Sequence, residues 1–318
     1  MAVLLGSDGG SPFPTMFFQQ SITWACPVAM DVLVYVIGAG GSGAADATNN
    51  SSANGGGAGG CAVSRLTLAA QNYTLTIGSG GANAYTSNSV VNGTAGGNTS
   101  MSGSGMTTMT GNGGNAGTHS SNAAVAGGSA SGGTLQNNTG GGSPAQADTT
   151  YGCSGGGGVG LYGPGQDGTV NTSNSGFPAG GSPMGIAPVN LTVTTGRPNT
   201  IIDGYLANGT IGVDIFPGLS RVVINSTGST DNFPIAGTST SGGNLQRYSG
   251  SQGRRVLPTG PFTGGAGLGE GTSSHCYAGG GTAGGGGGGC NTNAYGGYAR
   301  SGGGGAGLII MIPLSMGA

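Results

Sequence analysis

Uninterrupted glycine runs constrain this chain more than any other feature, the longest being Gly284–Gly289, with another at Gly302–Gly305. Each interior glycine costs an α-helix about 1 kcal/mol relative to alanine. Glycine also weakens a strand, because it has no side chain to pack. The glycines keep no strict Gly-X-Y register, which excludes a collagen triple helix. Helix, ordinary sheet and collagen are therefore all poor predictions for these tracts.

The remaining ordered form is the threefold extended helix, which has three residues per turn, a rise of about 3.1 Å and no internal hydrogen bonds. Glycine helices of this kind can lie side by side and bond N–H to C=O laterally, with Cα–H···O contacts in addition. We expect such bundles over much of residues 38–60, 78–81, 93–160 and 264–307. Their interiors would admit nothing larger than alanine or serine, which explains why only 5 % of the residues are charged.

Short aliphatic runs between the glycine tracts predict strands. Val32–Ile37 is continuously apolar, Tyr73–Ile77 is alternating, and Leu308–Ile312 forms a third run. Glycine becomes sparser between residues 186 and 262, where further strands are predicted at Leu191–Val193, Ile211–Ile215 and Val222–Ile224. No segment has the 3.6-residue period of an amphipathic helix. The chain is therefore expected to be rich in β-structure and nearly devoid of helix.

Charge and hydropathy exclude two classes of partner. The formal net charge is −2 and the seven basic residues, all arginine, are scattered, so binding to nucleic acid through phosphate neutralisation is not expected. No apolar stretch approaches the 18 residues of a membrane span, and the N-terminus does not read as a signal peptide. We therefore expect no membrane insertion.

The five cysteines fall at positions 26, 61, 153, 276 and 290, without a C-x-x-C pair. We favour small buried thiols in a protein made in a reducing cytoplasm. The alternative is one or two disulfides, for which Cys276 and Cys290 are the pair closest in sequence.

Catalytic patterns are weak. Val34–Gly43 resembles a strand followed by a G-x-G-x-x-G dinucleotide motif, but Ala44–Gly60 does not suit the helix that must follow it. His119 and His275 lack metal-ligand spacing. Three aspartates (Asp203, Asp214 and Asp231) suit turns and strand ends better than a pair of glycosidase carboxylates. We predict no catalytic residue, cofactor or metal, and no enzymatic activity.

One ordered series of motifs resembles a known family. The segment Phe18–Pro27 (FQQSITWACP) precedes the Val32–Ile37 strand and the glycine burst Gly38–Gly43, a Tyr73–Gly78 strand follows, and Gly302–Met311 closes the series. This order resembles the glycine-rich domain of bacteriophage tail-fibre and tail-tip receptor-binding proteins. The resemblance covers about residues 14–185 and 263–318.

The resemblance implies a fold class and a domain organisation. The expected fold is all-β, a jelly-roll-like β-sandwich scaffold with polyglycine-II-type helix bundles and almost no α-helix. Residues 1–17 would be an N-terminal attachment segment. The glycine-rich domain would comprise residues 18–185 and 263–318, with residues 186–262 as an inserted β-rich element.

The resemblance also implies a virion protein that acts as an adhesin on a bacterial surface polysaccharide or outer-membrane protein. A purely structural virion part (tail-tip, collar or capsid fibre) is the alternative. Expected partners are this receptor and other tail proteins. A homotrimer is expected, with a monomeric cap on a fibre as the alternative.

Loops on a rigid scaffold commonly carry binding residues, and mixtures of Tyr, Asn and Ser provide aromatic area and adaptable hydrogen bonds. Loops of this composition are Asn83–Asn88, Met101–Met109, Asn112–His119, Tyr162–Asp167 and Asn291–Tyr298. The alternative is that they are solubilising turns. The receptor-binding residues predicted from these loops are Tyr85, Asn88, Met106, His119, Tyr162 and Tyr295.

Overall fold

The computed structural model describes most of the chain before residue 172 and after residue 261, and isolated parts of the segment between them. The continuously described residues are 14–48, 52–119, 123–145, 153–171, 180–181, 262–265, 267–270, 275–292 and 297–316. Individual strands are also described at Val3–Leu5 and between residues 190 and 257. Within all of these residues the regular structure is β-strand, and no described helix could cross a membrane.

The described residues contain 26 strands. In chain order they are β1 (Val3–Leu5), β2 (Thr15–Phe18), β3 (Ile22–Ala25), β4 (Met30–Ile37), β5 (Ala45–Asp46), β6 (Cys61–Leu68), β7 (Asn72–Thr76), β8 (Tyr85–Ser87), β9 (Val90–Val91), β10 (Thr99–Ser102), β11 (Met109–Gly111), β12 (Ala130–Ser131), β13 (Gln136–Asn138), β14 (Cys153–Ser154), β15 (Val170–Asn171), β16 (Asn190–Thr192), β17 (Thr200–Asp203), β18 (Arg221–Ile224), β19 (Asn232–Pro234), β20 (Asn244–Arg247), β21 (Arg254–Leu257), β22 (Leu268–Glu270), β23 (His275–Tyr277), β24 (Cys290–Thr292), β25 (Tyr298–Arg300) and β26 (Leu308–Met316).

Two antiparallel sheets form a sandwich. The six-stranded sheet has the order β1-β2-β26-β4-β6-β13, and the five-stranded sheet has the order β12-β11-β10-β7-β3. The three apolar runs of the sequence become β4, β26 and β7, so those strand predictions are confirmed. β4 and β26 pair along nearly their whole length, from Leu308 opposite Ile37 to Met316 opposite Met30.

The sandwich core lies between these sheets. Alternate residues of β4 (Val32, Val34 and Val36) are fully buried there, as expected for a strand with one face on the core. The opposite sheet contributes buried side chains to the same cluster, namely Tyr73, Leu75, Met101 and Met109. The single tryptophan, Trp24, packs on this core between the rings of Phe18 and Tyr73, with centroids 5.7 and 6.0 Å away.

The outer face of the six-stranded sheet is also apolar. Ile37, Val63 and Ile310 are buried on it against Val159 and Phe262, which come from glycine-rich segments. Further along the same face, the next alternate residues of the sheet are only partly buried, namely Leu33, Tyr35 and Ile312. This sheet is therefore covered on one face and half covered on the other.

Glycine tracts extend from the strands of the sandwich. β4 continues directly into residues 38–44, and residues 54–60 lead into β6. In the same way, residues 112–118 follow β11 and residues 301–307 precede β26. At about 3.1 Å per residue, a seven-residue tract is about 20 Å long, so the bundle ends well away from the sandwich. We call the end that carries β5, β8, β9, β24 and β25 the distal end.

Lateral hydrogen bonds in the bundle repeat every three residues. In tract 38–44, each successive N–H donates to a different neighbouring tract, and the fourth returns to the first. The N–H to C=O pairs are Gly38 to Gly60, Ala39 to Gly97, Gly40 to Gly305, Gly41 to Gly57, Ser42 to Thr94, Gly43 to Gly302 and Ala44 to Asn54. A period of three is that of the threefold extended helix, so the expected laterally bonded glycine bundle is present.

The same tract accepts hydrogen bonds from three further tracts, so it has six neighbours. The accepted pairs are Gly81 to Gly40, Gly114 to Ala39, Gly117 to Ser42, Gly287 to Gly41 and Cys290 to Ala44. The backbone is thus satisfied in every lateral direction without a hydrophobic core, as buried polar groups require.

Close approach of backbones explains why glycine is needed here. A Cβ built on Gly38, Gly41 or Gly56 would lie closer than 3.0 Å to a carbonyl of a neighbouring tract. Ala39 and Ser42 are fully buried inside the bundle, as expected, but Asn54 of tract 54–60 is fully buried too, so the interior also admits a side chain larger than serine. The Ser42 hydroxyl accepts a hydrogen bond from the N–H of Thr94 at 2.8 Å. Its oxygen therefore takes part in the network of lateral hydrogen bonds between tracts, which we call the lattice.

Some expectations for individual segments differ from the structure. Met101–Met109 was expected to be a loop, but its two ends are β10 and β11, and Met101 and Met109 are fully buried. These segments alternate in burial, a period that glycine and serine obscure in the sequence. Part of the expected attachment segment, Val3–Leu5, pairs with β2 at the edge of the sandwich. The strand expected at Ile211–Ile215 lies outside the described residues.

The cysteines divide into two groups. Cys276 and Cys290 form a disulfide, contrary to the favoured interpretation of five thiols. Cys26, Cys61 and Cys153 are buried thiols outside the disulfide, as that interpretation expected. Burial raises the pKa of Cys61 to about 12 and also raises that of Cys153, so both are held as neutral thiols.

Candidate exposed face at the distal end of the glycine bundle

Two mixed sheets close the distal end. The first has the order β22-β24-β5-β9 and the second β20-β21-β23-β25-β8. In the second sheet, β8 and β25 are antiparallel, with Tyr85 opposite Arg300 and Ser87 opposite Tyr298. These strands directly follow or precede glycine tracts, so the lattice fixes where their side chains lie.

The side chains of β8 and β25 alternate between a buried and an exposed face. Thr86 and Ala299 are buried, whereas Tyr85, Tyr298 and Arg300 are exposed. The rings of Tyr85 and Tyr298 stack, with centroids 5.9 Å apart and planes inclined by 10°. Their exposed fractions are 55 % and 39 %, so the pair offers a large aromatic surface to solvent. We call Asn83, Tyr85, Ser87, Tyr298 and Arg300 the distal face.

One cation belongs to this face. A terminal nitrogen of Arg300 donates to the Asn83 side-chain oxygen at 3.4 Å. Arg300 differs in this from Arg65, which forms an ion pair with Asp31 on the sandwich. The positive charge of Arg300 is thus held beside the tyrosines without a described carboxylate to neutralise it.

A small-residue layer and a covalent bridge lie beneath the distal face. Ala45, Ala84, Ala278 and Ala299 are buried in one cluster with the two disulfide cysteines. Cys276 lies on β23, opposite Ala299 of β25, and Cys290 lies on β24. The disulfide therefore ties the two distal sheets together directly below the exposed tyrosines.

The structure brings three of the predicted receptor-binding residues to the distal end. Tyr85 is on the distal face. Asn88 follows β8 with a φ of 55°, the left-handed conformation that asparagine tolerates better than most residues, so it has a turn role. His119 pairs with Ala53 in an isolated bridge, and its N–H donates to the Asn92 side chain at 3.0 Å.

The structure separates two other predicted residues from that group. Met106 packs against the sandwich core. Tyr162 is 46 % exposed, but it lies beside Tyr35 and Cys61, where burial and those groups raise its pKa to about 12. Both residues are at the sandwich end of the bundle. Tyr295 lies outside the described residues.

Sequence reasoning missed Tyr298 and Arg300 as members of the site. Tyr298 was included only as the end of the Asn291–Tyr298 loop, and Arg300 was not considered. The alternation of Tyr298, Ala299 and Arg300, with only alanine between two large polar side chains, indicates a short strand with one exposed face. This signal was available, but it spans only three residues.

The glycine motif after β4 has no free amide to offer a phosphate. Each N–H from Gly38 to Ala44 donates to a carbonyl of another tract, whereas a dinucleotide site needs such groups directed at the ligand. Within the described residues, no group of three or more His, Cys, Asp or Glu side chains has the arrangement of a metal site.

Comparison with known proteins adds a family assignment. The profile of a family described as glycine-rich domain matches residues 17–312, which is most of the chain. The protein therefore belongs to this glycine-rich domain family. No curated protein matched the sequence.

Proposed function

We propose that this protein is an adhesin of a bacteriophage virion, similar to a tail fibre, and that it binds a bacterial surface receptor through the distal end of its glycine bundle. In this role the sandwich faces the virion and the bundle holds the binding residues away from it. Other tail proteins are the proposed partners at the sandwich, and a trimer is the proposed assembly.

The observation that carries this proposal is the stacked, exposed pair of Tyr85 and Tyr298 on a distal sheet that the disulfide ties to its neighbour. A stacked aromatic pair on neighbouring strands contributes only about 0.2–1 kcal/mol to a sheet, whereas two rings exposed side by side also form an aromatic patch that is available for binding. Tyrosine contributes large contact area with little loss of rotamer entropy, which makes it a frequent binding residue. The lattice and the disulfide below hold the pair in place, which reduces the entropy lost on binding.

Adsorption to the host bacterium tests the proposal. The purified, labelled chain should coat these cells and reduce adsorption of the phage. The double variant Tyr85→Ala/Tyr298→Ala should lose both effects. Tyr162→Ala is the matched control, because it removes a tyrosine of similar exposure at the opposite end of the bundle and should retain both. Wild-type protein that neither coats cells nor competes with the phage would refute the adhesin function.

The outer face of the six-stranded sheet favours a second candidate, a purely structural virion part. Leu33, Tyr35 and Ile312 are only partly buried there, and Leu314 of the same sheet is 43 % exposed. An apolar surface of this kind is suited to a permanent contact with another protein. If the chain is part of the virion but phage that carries Tyr85→Ala/Tyr298→Ala adsorbs normally to the host, this second function is favoured.

A further inference from the structure

We propose that the distal face binds an acidic polysaccharide, with a uronic-acid carboxylate on Arg300 and a neighbouring pyranose ring on the Tyr85–Tyr298 pair. This inference rests on the proposed adhesin function and names the chemical class of its receptor.

The first argument comes from the chemistry of the exposed side chains. At the exposed positions of β8 and β25 there are two aromatic rings, a hydroxyl and a guanidinium, and the small side chains between them point inward. No aliphatic side chain is exposed on these two strands. Protein–protein hot spots combine aromatic anchors with apolar side chains that become desolvated, and the exposed positions of these two strands offer no such aliphatic side chain. A sugar ring has an apolar C–H face for an aromatic ring and hydroxyls at its rim for polar groups.

The second argument comes from charge. Arg300 is held by the neutral Asn83 side chain at 3.4 Å, so its charge is oriented but not neutralised by a described acid. A guanidinium binds a carboxylate through two parallel hydrogen bonds, with a geometric specificity that ammonium groups lack. The whole chain, Arg300 included, has a formal net charge of −2. A local cation on a weakly acidic protein favours an anionic ligand at that point rather than general adhesion to anionic surfaces.

The third argument comes from register. Tyr85 lies directly opposite Arg300, and Tyr298 lies opposite Ser87. The aromatic pair and the cation are therefore adjacent positions of one two-stranded strip. Directly paired residues have Cβ atoms about 4.5–5.5 Å apart, which is close to the length of one sugar unit. Two successive units of a chain can therefore contact the tyrosine pair and Arg300 together.

Binding to purified polysaccharides tests this inference. The probes are a panel of uronate-containing bacterial capsular polysaccharides, each beside the same polymer after chemical reduction of its carboxyl groups to alcohols. Binding of the full chain is measured by biolayer interferometry. At least one native polymer should bind, and its carboxyl-reduced form should bind at least tenfold more weakly. Arg300→Gln should reproduce this loss on the native polymer, and Tyr85→Ala and Tyr298→Ala should each weaken binding about tenfold. Tyr162→Ala should bind as the wild type does.

Three results would overturn the inference. One is the absence of binding to every acidic polymer in the panel, and another is equal binding to native and reduced forms. The third is normal binding by Arg300→Gln, with circular dichroism showing that the variant is folded. If the chain coats host cells but a protease treatment of those cells abolishes coating, the adhesin function stands and the receptor is a protein instead. If the chain coats no cells at all, the adhesin function itself fails.

Discussion

Gly302 and Gly303 are adjacent glycines that should respond very differently to the same substitution. A Cβ on Gly302 would lie closer than 3.0 Å to the Gly279 carbonyl, whereas the nearest atom to a Cβ on Gly303 is 3.4 Å away. Neither residue has a φ in the left-handed region, so alanine is conformationally permitted at both. The comparison of Gly302→Ala with Gly303→Ala therefore isolates lattice packing from backbone conformation.

The cost of Gly302→Ala follows from the hydrogen bonds that the neighbouring tract would have to break. To relieve the overlap between the new Cβ and the Gly279 carbonyl, the tract that contains Gly279 has to move by more than about 1 Å before the two atoms are in ordinary van der Waals contact. The bonds at risk are Gly302 N–H to Gly288 at 2.9 Å, Gly288 N–H to Gly279 at 2.9 Å and Gly43 N–H to Gly302 at 3.1 Å. A buried polar group left wholly unpaired costs about 1–3 kcal/mol; with each of the three bonds weakened at a cost of about 1–2 kcal/mol, the expected loss is about 3–6 kcal/mol. Gly303→Ala should be neutral or stabilise by up to about 1 kcal/mol, because alanine restricts the unfolded chain.

Urea unfolding measures both variants. Trp24 reports the sandwich through its fluorescence, and far-ultraviolet circular dichroism reports the whole chain. A loss of 3–6 kcal/mol is a large part of the stability of a typical domain, so the midpoint of Gly302→Ala should move clearly below that of the wild type. If Gly302→Ala unfolds within about 0.5 kcal/mol of Gly303→Ala, the close-packed lattice is refuted as the source of stability.

Further predictions concern the thiols, the core and an ionisable tyrosine. After denaturation, a thiol reagent should react with three cysteines without reductant and with five after reduction. Reduction opens a disulfide loop with a sequence separation of 14 and should lower the free energy of unfolding by up to about 3 kcal/mol. Five reactive thiols before reduction would contradict the disulfide. Met101→Ala should cost about 2–5 kcal/mol because Met101 is fully buried, whereas the partly buried Met106 should cost much less; equal losses in thermal unfolding would contradict the core assignment. The pKa of Tyr162 is raised to about 12 from an ordinary value near 10, so its contribution to stability is complete below pH 10 and is lost as the pH rises to about 12. Tyr162→Phe should therefore reduce the fall in stability across that window, and an unchanged pH profile would contradict the environment assigned to this ring.

The sandwich could be anticipated only in part from the sequence. Long apolar runs such as Val32–Ile37 give a strong local signal, so β4 and β7 were predicted at nearly their observed bounds. β26 was predicted to begin at the right residue, but it continues past Pro313 to Met316. β10 and β11 were not, because their strands are short and rich in serine, threonine and glycine, and only Met101 and Met109 are large. Their burial depends on the opposite sheet, which a local pattern does not contain.

The candidate site shows the same division. Tyr85 was predicted from a loop composition rich in asparagine and tyrosine, and it does lie at the exposed distal end. Met106 and Tyr162 come from loops of similar composition but lie at the sandwich end. Composition identifies residues suited to binding, whereas the direction in which each tract runs decides which end of the bundle carries them.

The sequence by itself determined the material of this protein: strands at the apolar runs, and glycine helices that bond laterally because no other ordered form suits such tracts. Only the tertiary structure decided which tracts are neighbours, which loops share an end, that Cys276 pairs with Cys290, and that Tyr298 and Arg300 stand beside Tyr85. The reason is physical. Every glycine tract offers the same backbone groups at the same three-residue period, so local sequence carries almost no information on the choice of neighbour. That choice is made by the few side chains at the tract ends and by the strands that fix where each tract begins.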